Sequence, residues 1–475
     1  RPQQWQPAVA RRAPPQLRRN PQGWMAVRVI VVGAGEVGTH VAQLLSREGS
    51  DVIVIERSAA RIAELDKLLD VSIVHGNATD PEVMQAAGIG ETDLLVAATS
   101  SDEVNLVASL IAKLEGVERR VVRLERPGLR GSRAARLHEA VGADLVIDPD
   151  DAVAREVLDL LAYPGAIEIA RLADNEVLMI GAKLDAGAPF VGQTLSEIGA
   201  RYSPNWDFIV CTITRDGRTI VPRKDHELLA GDNVRVVCKT RARADVMRQL
   251  GLGSGEAHRI MVLGGGRTGE ILARALVAKG HVVTIIDRSE ERARELADEL
   301  DGVLVLLGDI TDASLLEEED VGSYDAVIAL TGEDDANILA CLFAKKAGAK
   351  ETIAVLHRLE LRHLLRDAGV DVTISPRTAS ANEVLRTLRG GVTAVATSLD
   401  DDIEIYEVEV GLGSAANGKK ISDLGLAHDT LIAAIVRDGK PRIGRGDSEL
   451  QALDHVVFVA HGKDVDQLSR LFTGS

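Results

Sequence analysis

Two glycine-rich segments carry the residue types and spacing best suited to holding a ligand. Gly33-Ala34-Gly35-Glu36-Val37-Gly38 and Gly264-Gly265-Gly266-Arg267-Thr268-Gly269 each follow a Val/Ile-rich stretch and precede an amphipathic one. A lone G-x-G-x-x-G string says little, but between a strand and a helix each glycine has a task. The first permits a tight turn, the second lets a diphosphate approach the backbone, and the third lets helix and strand pack closely. The helix N-terminus then offers amides and a partial positive charge to the phosphates. An acid closes the following strand in both copies, Glu56 before Arg57 and Asp287 before Arg288. Glu56 lies 18 residues past Gly38, near the spacing of a carboxylate that takes ribose hydroxyls. Such an acid repels a 2′-phosphate, which favours NAD or an adenine nucleotide over NADP. In the second copy Arg267 is available to pair with phosphate. A vestigial turn without ligand is the competing reading, more so for the second copy.

Polar clusters follow the third and fourth strands. Gly76-Asn77-Ala78-Thr79-Asp80 and Gly308-Asp309-Ile310-Thr311-Asp312 read either as turn and cap chemistry or as nucleotide contacts at the carboxyl ends of strands. Thr99-Ser100-Ser101-Asp102 invites the same two readings, and Thr79 and Asp102 serve equally well as N-caps.

The elements needed to position these residues are legible as alternating apolar runs and amphipathic stretches. Strands are expected at Val27–Val32, Asp51–Ile55, Val71–Val74, Leu94–Ala98, Val121–Leu124 and Leu145–Ile147. Helices are expected at Val37–Arg47, Ala59–Leu69, Pro81–Gly88, Val104–Leu114 and Arg133–Ala140. This βαβ series predicts a doubly wound parallel sheet. The whole pattern recurs: Gly33 to Gly264 and Glu56-Arg57 to Asp287-Arg288 share an offset of 231 residues, and Thr99, Asp102 and Asn105 recur one residue later as Thr331, Asp334 and Asn337. A second repeat, offset by 222, relates Arg215-Asp216-Gly217 to Arg437-Asp438-Gly439, Asp225 to Asp447 and Asp232 to Asp454. These smaller blocks lack the βαβ rhythm. Glu176–Leu184 and Phe208–Val221 read as short strands around an Arg-Asp-Gly turn. The expected fold class is α/β, with two Rossmann-like domains each followed by a small α+β domain. The expected division is a disordered leader at 1–24, Rossmann domains at 25–148 and 257–376, linker helices at 149–166 and 377–392, and small domains at 167–252 and 393–475.

Composition narrows the function. The net charge of −17 disfavours nucleic acid or anionic lipid as a partner held by a basic field. Aromatic residues make up 3% of the chain, so cores of Val, Ile, Leu and Ala are expected. Cys211, Cys238 and Cys341 lie scattered in apolar runs and suit neither a disulfide framework nor a zinc site, which points to a reducing, cytosolic compartment. No apolar run reaches the roughly 18 residues of a membrane span. The Arg- and Pro-rich residues before Met25 contain no acid and no apolar core of a secretory signal.

The strings GAGEVG, Gly76-Asn-Ala-Thr-Asp80, VAATSSDEVN, the strand holding Arg123, the Ala154-Arg-Glu-Val helix before Tyr163-Pro-Gly165, and LTGEDDANILA together resemble the regulator-of-potassium-conductance (RCK, or KTN) domains, specifically the tandem TrkA-type subunits of Trk potassium uptake systems. The resemblance runs from Val27 to about Leu471. It implies NAD(H) or ATP/ADP as cofactor and a cytosolic gating role at the inner face of the membrane, on a TrkH/TrkG-like potassium transporter subunit. It also implies a homotetramer of regulatory chains. By resemblance, the first site would use Gly33 to Val37 for diphosphate, Glu56 for ribose, and Thr99, Ser100 and Arg123 near the rest of the nucleotide. The second would use Gly264 to Thr268, Asp287 and Thr331, with His357 standing where the first copy has Arg123. The helices Val104–Leu114 and Ile338–Lys346 carry apolar stripes, Leu106, Leu110, Ile111 and Leu339, Leu342, Phe343, which fit either core packing or assembly. The alternative is an NAD-dependent oxidoreductase with two Rossmann domains. His75, His138, His226 and His258 form no catalytic constellation, and there is no nucleophile elbow, metal-ligand spacing or Walker lysine.

Overall fold

A computed structural model of the chain describes residues 27–47, 49–129, 134–204, 206–253, 257–358, 365, 368–388, 392–396 and 403–474. The segment 1–24, expected to be a leader, lies outside the described residues. The chain divides into two compact units, one formed by residues 1–122 and 131–144, the other by 123–130 and 145–475.

In the first unit β1 (Arg28–Val32), β2 (Asp51–Glu56), β3 (Ser72–His75), β4 (Leu94–Ala97) and β5 (Arg119–Arg123) form parallel neighbours in the order β3-β2-β1-β4-β5. The strand order reverses beside β1, the switch point at which doubly wound sheets bind ligands. The helices α1 (Glu36–Arg47), α2 (Ala59–Leu68), α3 (Pro81–Ala86), α4 (Asp102–Leu114) and α5 (Ala135–Val141) match the expected ones to within two residues. Three begin on side-chain caps, from Ser58, Asp80 and Ser101. Thus Asp80 and Ser101 take the capping roles for which Thr79 and Asp102 were candidates. The strand β5 begins two residues before the expected Val121. Arg120 is tied down there by Asp144 and by the carbonyls of Gly142 and Val117, so its polarity does not keep it out of the sheet.

In the second unit β6 (Leu145–Ile147) leads into α6 (Pro149–Leu161). The first antiparallel sheet follows, made of β7 (Glu168–Leu172), β8 (Val177–Lys183), β9 (Phe208–Arg215), β10 (Arg218–Ile220) and β11 (Asn233–Lys239) in the order β10-β9-β11-β8-β7. Two helices, α7 (Leu195–Tyr202) and α8 (Arg243–Gln249), accompany it. The second parallel sheet comprises β12 (Arg259–Leu263), β13 (Val282–Asp287), β14 (Val303–Leu307), β15 (Ala326–Ala329), β16 (Glu351–Val355) and β17 (Val372–Ile374) in the order β14-β13-β12-β15-β16-β17. Its helices include α9 (Arg267–Ala278), α10 (Glu290–Glu299), α11 (Ala313–Glu318) and α12 (Asp334–Ala347). A second antiparallel sheet, β18 (Val392–Ala396) to β22 (His455–His461), closes the chain.

The 222-residue repeat has a structural cause. Asp216 and Gly217 (φ +49° and +72°) and Asp438 and Gly439 (φ +52° and +67°) make the same left-handed hairpin turns. Beside them Arg215 grips the buried Asp232 at 2.7 and 2.8 Å, and Arg437 grips the buried Asp454 at the same distances. The two antiparallel sheets share one core, in which Met179, Cys211 and Val237 meet Ala434, Val457 and Val459. The three cysteines are free and buried, and burial pushes the Cys341 thiol up to about 12. Among the described residues no helix is long and apolar enough to cross a membrane.

Both apolar stripes are incompletely covered. On α4 the core takes Asn105, Ala108, Ser109 and Ala112, leaving Leu110 and Leu114 exposed with Leu106 and Ile111 half-buried. On α12 Leu339 is 59% exposed. It borders a groove of about 330 Å³ together with Leu342, Phe343, Ile310 and Leu316.

Candidate nucleotide site

Both glycine turns sit at the carboxyl end of the central strand of a parallel sheet. Gly33 and Gly264 have φ of +97° and +113°, and a side chain on either would press on Thr99 or Thr331 from the neighbouring strand end. A methyl group on Gly38 would lie 1.9 Å from the Gly33 carbonyl oxygen, and one on Gly269 2.1 Å from that of Gly264. The third glycine of each motif therefore allows the helix to approach the strand, as its position in the string predicts. At Gly35 an added methyl would meet only the Arg61 guanidinium, at 3.4 Å. The backbone there is open to a ligand that a side chain would displace, so this turn fits a diphosphate.

The acids hold the turns in shape. Glu56, 7% exposed, accepts the Ala34 amide at 2.7 Å with one oxygen and the Ser58 amide at 2.8 Å with the other. Asp287 accepts the Gly265 and Ser289 amides at 2.7 and 2.8 Å. Each carboxylate keeps further lone pairs for ribose hydroxyls. Thr99 is locked to Asn105, whose side chain accepts the Thr99 amide and hydroxyl and donates to its carbonyl. Thr331 and Asn337 repeat this arrangement with the same distances. The recurrent asparagines thus position the fourth-strand threonines. Ser100 is exposed beside Thr99.

The third-strand loops are turn builders at least in part. Asn77 accepts the Thr79 amide, and Ala78 is buried beneath the loop. Asp309 accepts the amide and hydroxyl of Thr311, which hold its carboxyl below the usual range. Arg57 is exposed, and Arg288 pairs with Glu333 at 2.8 Å. Arg123 lies in the second unit, where it pairs with Glu125. The His357 amide donates to Asp334.

The two turns differ in their cations. At the second, Arg267 reaches Asp148 at 2.6 Å and Asp150 at 2.8 Å, and the Thr268 hydroxyl also donates to Asp150. Both acids open α6, and Asp148 is its N-cap. Arg292, on α10, is held by Glu270, Glu295 and the Gly265 carbonyl. Burial alone would raise the Glu270 carboxyl, but hydrogen bonds from Arg292 and Arg274 outweigh it and hold the group low. Arg61 is the counterpart of Arg292 in the 231-residue repeat, and its side chain has no such partner among the described residues. Arg61 escaped the sequence reading; the repeat itself, which aligns it with Arg292, was the available signal.

A separate cavity of about 910 Å³ in the second unit is lined by Glu168, Arg235, Lys345, Asp371 and Glu351. Most of its charges are paired, Arg235 with Glu168 and Lys345 with Asp371. Glu351 is not: among the described residues neither carboxylate oxygen has a hydrogen-bond partner, and burial, aided by Asp371, pushes its carboxyl up to about 7. Among the described residues no cluster of His, Cys, Asp and Glu could hold a metal.

The TrkA-N domain model matches residues 29–149 and 260–376, and the TrkA-C domain model matches 179–251 and 405–473. The Trk system potassium uptake protein TrkA homolog of Archaeoglobus fulgidus is 34% identical over 94% of this chain and 100% of its own length. The Trk system potassium uptake protein TrkA of Vibrio alginolyticus is 32% identical over 94% and 99%. These relatives are potassium-uptake proteins, not enzymes. Among solved structures, the GsuK RCK domain superposes with a TM-score of 0.60 at 18% identity over 98% of both chains. The GsuK channel bound to NAD superposes with 0.60 at 17% identity, over 95% of this chain and 79% of that one. The fold is thus that of tandem RCK domains, and the chain belongs to the TrkA family of Trk potassium uptake systems.

Proposed function

We infer that this chain is a nucleotide-sensing regulatory subunit of a Trk-type potassium transporter. The observation that carries the reading is the first glycine turn: an open diphosphate approach at Gly35, shaped by Glu56 and flanked by Arg61, whose side chain has no ion-pair partner among the described residues. The ligand is NAD(H) or ATP/ADP. Gly33 to Val37 face the diphosphate, Glu56 the ribose, and Thr99 and Ser100 the remainder. Nucleotide gates transport by binding one arrangement of the assembly better than another, since equal affinity for both shifts nothing. The partner is a TrkH/TrkG-like membrane subunit met at the inner face of the membrane. Self-association to a homotetramer is supported by the uncovered apolar stripes of α4 and α12.

Thermal-shift and calorimetric titrations with NADH, ATP, ADP and NADPH test the ligand. Binding of the first three and weak or no binding of NADPH is expected. Lack of response to every adenine nucleotide overturns the sensor. Light scattering tests the assembly, and a strictly monomeric chain with and without ATP or ADP overturns the homotetramer.

A further inference from the structure

The repeat invites the view that each chain carries two equivalent nucleotide sites, but the cations beside the two turns are committed differently. At the second turn the chain supplies its own anions. The carboxylates of Asp148 and Asp150 stand against Arg267 and Thr268, the first two residues of α9, where a helix N-terminus would otherwise present itself to phosphate. Asp148 is only 5% exposed and also caps α6, so it is fixed in place from both sides. Arg292 is likewise committed: it donates to the Gly265 carbonyl and pairs with Glu270 and Glu295. At Gly266 an added methyl would meet nothing within 4 Å, whereas at the matching Gly35 it would meet Arg61 at 3.4 Å. The difference traces to single positions. Glu270, which holds Arg292, is replaced by Thr39 in the first copy, and Glu36 stands at the register position of Arg267.

Resting on the nucleotide-sensing reading above, we propose that each chain binds one nucleotide, at the first turn with Arg61 as its phosphate cation, while at the second turn Asp148 and Asp150 replace the phosphate and lock α6 onto α9. A diphosphate entering the second turn would meet two carboxylates already holding Arg267, and like charges at that range repel strongly. Arg267 is then a structural latch. The lock joins the helix that follows the first Rossmann sheet to the helix that opens the second, and α6 also contributes Val153, Val157 and Leu161 to the second domain's core.

Calorimetric titration of the full chain with ADP decides the matter. One equivalent per chain is expected, weakened about ten-fold or more by Arg61→Gln and unchanged by Arg267→Gln. In Asp148→Asn/Asp150→Asn, where asparagine preserves the helix cap, a second equivalent is expected. Two equal equivalents in the unaltered chain, or loss of binding in Arg267→Gln, overturns the lock while leaving nucleotide sensing intact. Persistence of a single equivalent in a folded double variant, checked by circular dichroism, also overturns it. No binding in any form overturns the nucleotide-sensing reading itself. Should the double variant fail to fold, the stoichiometry of the unaltered chain and the Arg61 and Arg267 variants still decide.

Discussion

The two glycine turns share a backbone and differ in electrostatics. Gly33 and Gly264, the helix glycines Gly38 and Gly269, the acids Glu56 and Asp287, and the Thr–Asn pairs behind them superimpose in role and nearly in distance. What separates the halves is the placement of a few charges, Asp148 and Asp150 against Arg267 and Glu270 against Arg292, with no matching anion on Arg61 among the described residues. A duplicated fold therefore keeps its scaffold through geometry, where one methyl group is too many. The charges set beside each turn are free to differ on that shared scaffold.

The largest effect should come from Gly35→Val. Its φ is unremarkable and its surroundings are open, so the fold should tolerate the side chain while ADP binding is lost. The matching Gly266→Val should leave ADP binding unchanged, and equal losses in both variants would erase the distinction between the turns. Calorimetry, with Tm as the folding control, reads both.

Next comes pH. Position 119 of the first domain carries an arginine where the second carries Glu351. The folded protein holds the Glu351 proton up to about 7, above an ordinary value of 4.5, because burial, aided by Asp371, outweighs the opposing charge of Lys345. In this window the native state binds the extra proton, so its stabilisation is complete below about 4.5 and is lost as pH rises through about 7. The loss is on the order of 3 kcal/mol. Glu351→Gln should flatten the urea-unfolding profile across this range. An unchanged slope would remove the pH asymmetry between the halves.

The smallest contrast is an expected equality. Gly38→Ala and Gly269→Ala each drive a methyl into a backbone carbonyl, and each should cost about 1–3 kcal/mol in denaturant unfolding. A large difference between them would show that the scaffolds themselves have diverged.

Much of this was legible in the sequence because it depends on local rules. Glycine spacing, the acid at the second strand's end and the period of apolar runs located both sheets, with helix ends within two residues. The α5 region was the least regular, starting at Ala135 where Arg133 was expected. Arg119 and Arg120 hid the start of β5, since the partners that make them acceptable in a strand, such as Asp144, are distant in sequence. The same limit hid the charge pattern at the second turn. Arg267 alone looks like a phosphate ligand, and only the fold brings Asp148 and Asp150, more than a hundred residues earlier, into contact with it. Glu351 was likewise invisible, because an acid in a Thr/Ile/Ala/Val strand does not reveal that it is buried without a hydrogen bond.

The most direct measurement is an experimental structure of the full chain with ADP. Density for one ADP is expected along Gly33 to Val37, with its ribose on Glu56 and its phosphates beside Arg61, while Arg267 stays on Asp148 and Asp150. ADP bound elsewhere, with the first turn empty, would contradict nucleotide sensing by this chain's first Rossmann domain.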